Sequence, residues 1–120
     1  MISASDVLQL VSEIHQYSML LIELKEPATL GILHSAGDKM VCFRLSGMLN
    51  QPQRSELVNI LYLGSLPKAV KTLALDDFLK EIEGKKARHI WLETGGSERK
   101  EHGFVSISEL KAFFRSRAPR

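Results

Sequence analysis

The apolar residues of this chain follow two different periods, and the period changes several times along the sequence. Near the start, four apolar residues recur at i, i+3, i+4 and i+7, the spacing of one helix face. They are Val7, Leu10, Val11 and Ile14. Ser3 and Asp6 stand just before and within this stripe, at the spacing of a capping box. The pattern therefore predicts an N-terminal helix that packs one face on the core.

Three β-rich runs follow this segment, and a turn signal separates each run from the next. They are SMLLIELK at 18–25, ATLGILHS at 28–35 and KMVCFRLS at 39–46. The intervening Glu-Pro and Gly-Asp pairs are typical of turns. Because sequential strands with short links usually pair as neighbours, we predict an antiparallel meander.

The next apolar run, ELVNILYLG at 56–64, is compatible with two structures. As a helix it would begin at Pro52, which suits a first helical turn, and end at Gly64. As a strand it is favoured by its β-branched and aromatic residues. We predict a strand, preceded by a loop over residues 47–55.

The second half of the chain predicts a strand at 69–75 and then a helix. Four apolar residues at helical spacing define that helix, and Gly84 is a suitable C-terminal cap. They are Leu75, Phe78, Leu79 and Ile82. A strand at 86–93, a polar loop at 94–103 and a short strand around Phe104 form a predicted hairpin.

A closing helix is predicted after this hairpin. Ser106 and Glu109 have capping-box spacing, and an apolar face follows them. That face consists of Ile107, Leu110, Phe113 and Phe114. The whole pattern predicts an α+β fold: an N-terminal helix, an antiparallel β-meander and a C-terminal helix-hairpin-helix extension. The chain reads as one domain over 1–120, with one candidate sub-boundary near residue 75.

Composition narrows the class of protein. The chain is 44% hydrophobic and 25% charged, which is typical of globular domains. No apolar run approaches the roughly 20 residues that span a bilayer, and no basic leader precedes an apolar stretch. We therefore expect a cytoplasmic protein without a membrane partner. Cys42, the single cysteine, has apolar neighbours and is predicted to be a buried strand residue.

The sequence shows no catalytic motif and no set of metal ligands. Its four histidines have no pair at ligand spacing, and there is no second cysteine to join them. They are His15, His34, His89 and His102. We therefore predict no metal and no cofactor, and a non-catalytic binding module rather than an enzyme. Two alternatives remain: an assembly subunit without nucleic acid, and a small-ligand or enzymatic site that no motif reveals.

Residues 18–75 resemble the Sm-like fold, including its bacterial Hfq branch, in the runs SMLLIELK, TLGILHSAGDKMVCFRL, NILYLGS and AVKTL. Gly31, Asp38 and the Met40-Val41 pair stand where that family has a Gly, an Asp and a hydrophobic pair. The resemblance implies a barrel, association into rings and RNA binding. Val41 and Leu63 replace the family's RNA-contacting Asn and Arg, whereas Tyr62 matches the Tyr of the Hfq Tyr-Lys-His motif.

A second stretch is similar to an RNA-recognition motif. LYLGSLP at 61–67 resembles its first-strand signature, and EHGFVSI at 101–107 resembles its third-strand signature. That resemblance implies a sheet on which bases stack, with Tyr62, Phe104 and His102 as the RNA-binding platform. The chain ends without a candidate for the motif's fourth strand.

Charge and strand edges predict where partners would bind. The net charge of +2 is small, and the basic residues are densest in the tail around Arg115 and Arg117. We therefore expect any RNA binding to be weak, salt-sensitive and dependent on that tail. The run NILYLG has almost no charge, so as an edge strand it would pair with another chain, with Ile60 and Tyr62 near the contact. A protein partner or self-association is the resulting prediction.

Overall fold

The computed structural model describes residues 1–14, 17–26, 28–35, 39–62, 70–94 and 100–117. Helices in these residues are α1 Ala4–Ile14, α2 Gln51–Tyr62, α3 Leu75–Ile82 and α4 Ile107–Arg117. The strands are β1 Tyr17–Leu24, β2 Ala28–Ser35, β3 Lys39–Ser46, β4 Val70–Leu73, β5 Ala87–Thr94 and β6 Glu101–Phe104. Every neighbouring pair of strands is antiparallel, so the predicted α+β class is confirmed.

The described strands form one open sheet in the order β4-β3-β2-β1-β5-β6. The predicted meander is confirmed, because β1 pairs with β2 and β2 with β3. On its other side β1 pairs with β5, with Ile22 opposite Ile90. Strands from both sides of residue 75 are therefore direct neighbours. The closed barrel implied by the Sm-like resemblance is not seen in this open sheet, and a separate C-terminal extension is not confirmed.

Each face of the sheet has its own apolar core, because side chains alternate between the two faces of a strand. The three-helix face, covered by α1, α3 and α4, has the larger core. The α2 face has a smaller one, formed by Met19, Leu21, Leu33, Phe43, Leu45 and Leu57. Burial on both faces explains why the central strand runs are apolar almost throughout.

The three helices on the larger face were correctly predicted from their apolar spacing. Their apolar faces pack against the sheet, and the buried residues on these faces are Val7, Leu10, Phe78, Ile82, Leu110 and Phe114. Helix α3 stops before Gly84, whose φ of 74° is the left-handed conformation that glycine adopts easily. None of the described helices combines the length and apolar character needed to cross a bilayer.

Residues 51–62, predicted as the end of a loop and most of a strand, form helix α2, so the preferred strand is wrong and the helical alternative is confirmed there. Residues 63 and 64 of the predicted strand lie outside the described residues. The Asn50 Oδ1 accepts a hydrogen bond from the Gln53 N–H at 2.9 Å, and the Gln53 Oε1 accepts one from the Asn50 N–H at 2.9 Å. This reciprocal pair is a capping box built from amides. The cap, together with the burial of Arg54 and Leu57 one turn apart, outweighs the strand preference of the β-branched residues.

The premise of the self-association prediction is also wrong, because residues 59–62 of NILYLG lie in helix α2 and not in an edge strand. Ile60 and Tyr62 belong to α2, and their side chains lie outside the described part of the structure. The edges of the described sheet are β4 and β6, each four residues long, with Lys71 on one and Glu101 on the other. Short, charged edges are a common protection against pairing with another chain. Self-association remains an untested prediction.

The two predicted capping boxes differ in outcome. At the start of α4, the Ser106 hydroxyl accepts a hydrogen bond from the Glu109 N–H at 3.2 Å, as predicted. At the start of α1, the described hydrogen bonds include none that joins Ser3 to Asp6. The Asp6 carboxylate instead contacts the Lys111 ammonium on α4. Asp6 therefore links two helices rather than capping one.

Cys42 lies on β3 within the core of the three-helix face, and its burial raises the pKa of the thiol. The thiol pKa is higher in the folded chain than in the unfolded chain. The contribution of Cys42 to the free energy of unfolding is therefore complete below the unfolded pKa and is lost as pH rises through the folded pKa. We expect the native thiol to resist a disulfide reagent such as DTNB at pH 8 and to react fully in denaturant. Native reaction at the denatured rate would contradict this.

Candidate functional site

Two of the residues predicted to bind RNA are brought together, but on a covered face of the sheet. His102 and Phe104, on β6, pack against Phe113 of α4 with ring centroids 5.0 and 5.3 Å apart, respectively. All three side chains are half-buried. They form an aromatic contact between a strand and a helix, whereas the RNA-recognition resemblance implies an open stacking platform.

The other predicted RNA-binding residues lie elsewhere. Tyr62 is the last residue of α2, which covers the opposite face of the sheet, and its side chain is not among those described. Arg115 is exposed on α4, and Arg117 is the last residue of that helix. The structure therefore places Tyr62 on a different face from the aromatic contact of β6.

The α2 face contains a buried ion pair that the sequence did not reveal. Arg54 of α2 donates two hydrogen bonds to the Glu101 carboxylate of β6, from Nε at 2.7 Å and from Nη2 at 2.9 Å. Its Nη1 donates to the Leu49 carbonyl at 2.8 Å and lies 3.9 Å from the Glu23 carboxylate. The side chains of Arg54 and Glu23 are each only 7% exposed.

Trp91 on β5 is the surface on which this guanidinium rests. The Arg54 Cζ lies 3.7 Å from the centre of the indole ring, a cation-π distance. His89 stacks on the same ring at 5.5 Å. Across the ladder, Gly103 pairs with Trp91, and a Cβ there would lie 2.8 Å from the indole, so only glycine fits beneath the ring. No described residue accepts a hydrogen bond from the buried Trp91 Nε1.

This arrangement docks α2 onto the sheet. The Nε, Nη1 and Nη2 atoms of Arg54 each donate a hydrogen bond to a protein acceptor, and the flat face of its guanidinium is covered by Trp91. A guanidinium that is paired in this way has little capacity left for a ligand. We therefore assign the Arg54 cluster a structural role.

A cavity of about 400 Å³ lies at one end of the sheet, where β1, β5, α1 and α4 meet. We call it the lysine cavity. The charged side chains of its lining are those of three lysines, Lys25, Lys86 and Lys111, and one carboxylate, Asp6. The remaining lining residues are Met1, Ile2, Ala87, Val105, Ser106, Ile107 and Ser108. Its volume falls within the range of about 300–1,000 Å³ that is usual for small-ligand sites.

The backbone explains why the first two lysines meet. Lys25 directly follows β1 and Lys86 directly precedes β5, and the Lys25 N–H donates to the Lys86 carbonyl at 3.0 Å. Neither ammonium has an ion-pair partner among the described residues. Two nearby carboxylates are already used, since Glu26 pairs with Lys85 at 2.7 Å and Glu83 accepts from the Ala4 N–H. The cavity therefore has an excess of positive charge.

Polar groups at the start of α4 complete the cavity. The first N–H groups of a helix have no intrahelical acceptor, and here they belong to Ile107 and Ser108. The Ser106 hydroxyl accepts from the Glu109 N–H, which leaves its own proton available to donate. Lysines, hydroxyls and helix N–H groups are all donors, so the cavity can hold an acceptor-rich anion.

Comparisons of the chain with protein-family models, with curated proteins and with solved structures find no match. The described residues also contain no group of three His, Cys, Asp or Glu side chains arranged to hold a metal ion. The chemistry of the lysine cavity is therefore the basis of the functional assignment.

Proposed function

We propose that this chain is a non-catalytic binding module that holds a phosphate monoester in the lysine cavity. The observation that supports this is the convergence of Lys25, Lys86 and Lys111, from three separate parts of the chain, on a cavity with one carboxylate. The described lining offers donors and positive charge but no histidine or cysteine. It favours holding an anion over transforming it.

A phosphate monoester fits this lining better than a carboxylate does. Its charge at neutral pH is about −1.5 to −2, and it has three strong acceptor oxygens. Lysine binds such a compact, multiply charged group as a point charge, whereas planar carboxylates are best recognised by the fork of an arginine. The described lining contains three lysines and no arginine. Exposed Met1 and Val105 give the cavity an apolar rim for the organic part of the ligand.

Two sources supply this chemistry: a small phosphorylated metabolite, and the 5′-phosphate of an RNA strand. The second source retains the proposed RNA association in a changed form, because the contact would be to a terminal phosphate rather than to stacked bases. A backbone phosphodiester has a single charge and would neutralise less of the lysine cluster. Either source would place its phosphate in the lysine cavity. The two differ in the organic part of the ligand that extends beyond the cavity's rim.

The test is a titration of the isotope-labelled protein with phenyl phosphate, followed by amide chemical shifts. We expect saturable shifts at Ser106, Ile107 and Ser108. In the double variant K25Q/K86Q affinity should fall about tenfold or more, since a hydrogen bond to a charged group contributes roughly 1.5–3 kcal/mol. The matched control is K71Q/K80Q, which removes the same charge from exposed positions outside the cavity lining.

Equal weakening by both double variants would contradict the proposal, because it would show a diffuse charge effect. An RNA arm compares short strands with and without a 5′-phosphate. Tighter binding of the phosphorylated strand that depends on Lys25 and Lys86 would identify RNA as the source. Binding that depends on Arg115 and Arg117 and ignores the 5′-phosphate would assign RNA to the tail instead.

A further inference from the structure

We infer that Asp6 is an internal competitor for the lysine cavity, which occupies Lys111 when no ligand is bound and lowers the affinity for anions. This inference rests on the proposed function and concerns the regulation of the same site. It starts from the one carboxylate among the charged lining residues and from the contact that this carboxylate makes.

The contact joins two elements that are far apart in sequence. The Asp6 Oδ1 on α1 accepts a hydrogen bond from the Lys111 Nζ on α4, and the two side chains are 31% and 30% exposed. Both residues line the cavity. A carboxylate that contacts a cavity lysine occupies a position where a ligand's anionic oxygen would be stabilised. Of the three lysines, Lys111 is the one with a described carboxylate partner.

Lys111 also differs from Lys25 and Lys86 because it lines two cavities. It lines a second cavity of about 330 Å³ in the groove between α1 and α4, together with Leu10, Phe114 and Arg115. Lys111 therefore borders both the lysine cavity and this groove. A ligand that captures Lys111 must take it from Asp6, and the released carboxylate then remains beside the bound anion. Both steps oppose binding.

The amount by which Asp6 lowers the affinity depends on the charge of the ligand. Repulsion from the Asp6 carboxylate scales with ligand charge, so a phosphate dianion is affected more than a monoanion. The pair is only partly shielded from solvent, and salt screens its interaction with a ligand. Removing the charge of Asp6 should therefore tighten the binding of phenyl phosphate more than that of a monoanion such as benzenesulfonate.

The experiment measures the affinity for phenyl phosphate in the wild type, Asp6→Asn, Lys111→Gln and the double variant. We expect Asp6→Asn to tighten binding by about fivefold or more at low salt, given the strength of nearby charges at a protein surface. In the Lys111→Gln background the same change should have a clearly smaller effect, because no captured lysine remains to be released. Benzenesulfonate should gain less than phenyl phosphate.

A purely structural role predicts a different result. If the pair only joins α1 to α4, Asp6→Asn lowers the thermal midpoint and leaves the affinity unchanged, which would overturn the inference while the proposed function stands. If neither the wild type nor Asp6→Asn binds phenyl phosphate, the proposed function fails and the inference fails with it. Binding by Asp6→Asn alone would support both.

Discussion

Replacing Arg54 by methionine is expected to lower the free energy of unfolding by about 3–5 kcal/mol, the usual cost of removing one partner from a buried ion pair. Methionine retains much of the aliphatic volume but none of the donors. The Glu101 carboxylate would lose two hydrogen bonds, and the Leu49 carbonyl would lose one. Glu23, which is buried, would lose its nearest described guanidinium.

Urea denaturation followed by circular dichroism measures this effect, and the chain provides a matched control. Arg44 pairs with Glu81 at 3.3 Å, but both side chains are more than 40% exposed. Arg44→Met should therefore cost no more than about 1 kcal/mol. Adding Glu101→Gln to the Arg54→Met variant should recover part of the loss, because the unpaired charge is removed. Equal, small effects of the two arginine variants would show that the buried pair does not hold α2.

The second large effect is expected in the core of the three-helix face. Phe78 of α3 is fully buried there, and Phe78→Ala should cost about 3–5 kcal/mol through lost apolar burial and a residual cavity. Leu110→Ala on α4, also fully buried, should cost about 2–5 kcal/mol for the same reason. Both values are large relative to the total stability of a domain of this size.

Thermal denaturation of both variants is the measurement, with Leu8→Ala as the control. Leu8 lies on α1 but is 51% exposed, so its truncation should change the stability by about 0.5 kcal/mol or less. Unchanged midpoints for Phe78→Ala and Leu110→Ala would mean that the apolar stripes of α3 and α4 do not carry the packing described above.

The elements predicted correctly are those whose signal is local and repeated. The runs at 18–25, 28–35 and 39–46 differ from β1, β2 and β3 by at most one residue at either end, because turn residues delimit each of them. Helices α3 and α4 were predicted because their apolar residues are spaced for burial on one face. The position of β5 beside β1 is a non-local pairing, and no local pattern in either strand specifies it.

For helix α2 the strand was preferred over the helical alternative beginning at Pro52, although a local helix signal was present. Asn50 and Gln53 form a capping box from two amides, whereas each capping box predicted from the sequence pairs a serine with an acidic residue. In addition, no pattern in the sequence indicated that Arg54 would be buried. Arg54 is the fourth residue of α2, and the burial of an arginine there depends on Glu101, which follows much later in the chain.

The candidate site could not be predicted from the sequence for a related reason. The densest basic stretch of the sequence contains Arg115 and Arg117, which are close together along the chain. The lysines of the cavity belong to three distant segments and become neighbours only when β5 pairs with β1 and α4 packs beside α1. A site whose residues are brought together by the order of the strands in the sheet cannot be predicted until that order is known.

The docking of α2 also has an optical consequence, since Trp91 is the single tryptophan of the chain. Its indole, on β5, contacts the guanidinium of Arg54 and the imidazole of His89. Its emission therefore depends on whether α2, which carries Arg54, is docked on the sheet. A chain that released α2 but kept its three-helix face would change its tryptophan emission while retaining most of its helical circular dichroism. The intrinsic fluorescence of this protein thus reports on one face of its sheet separately from the other.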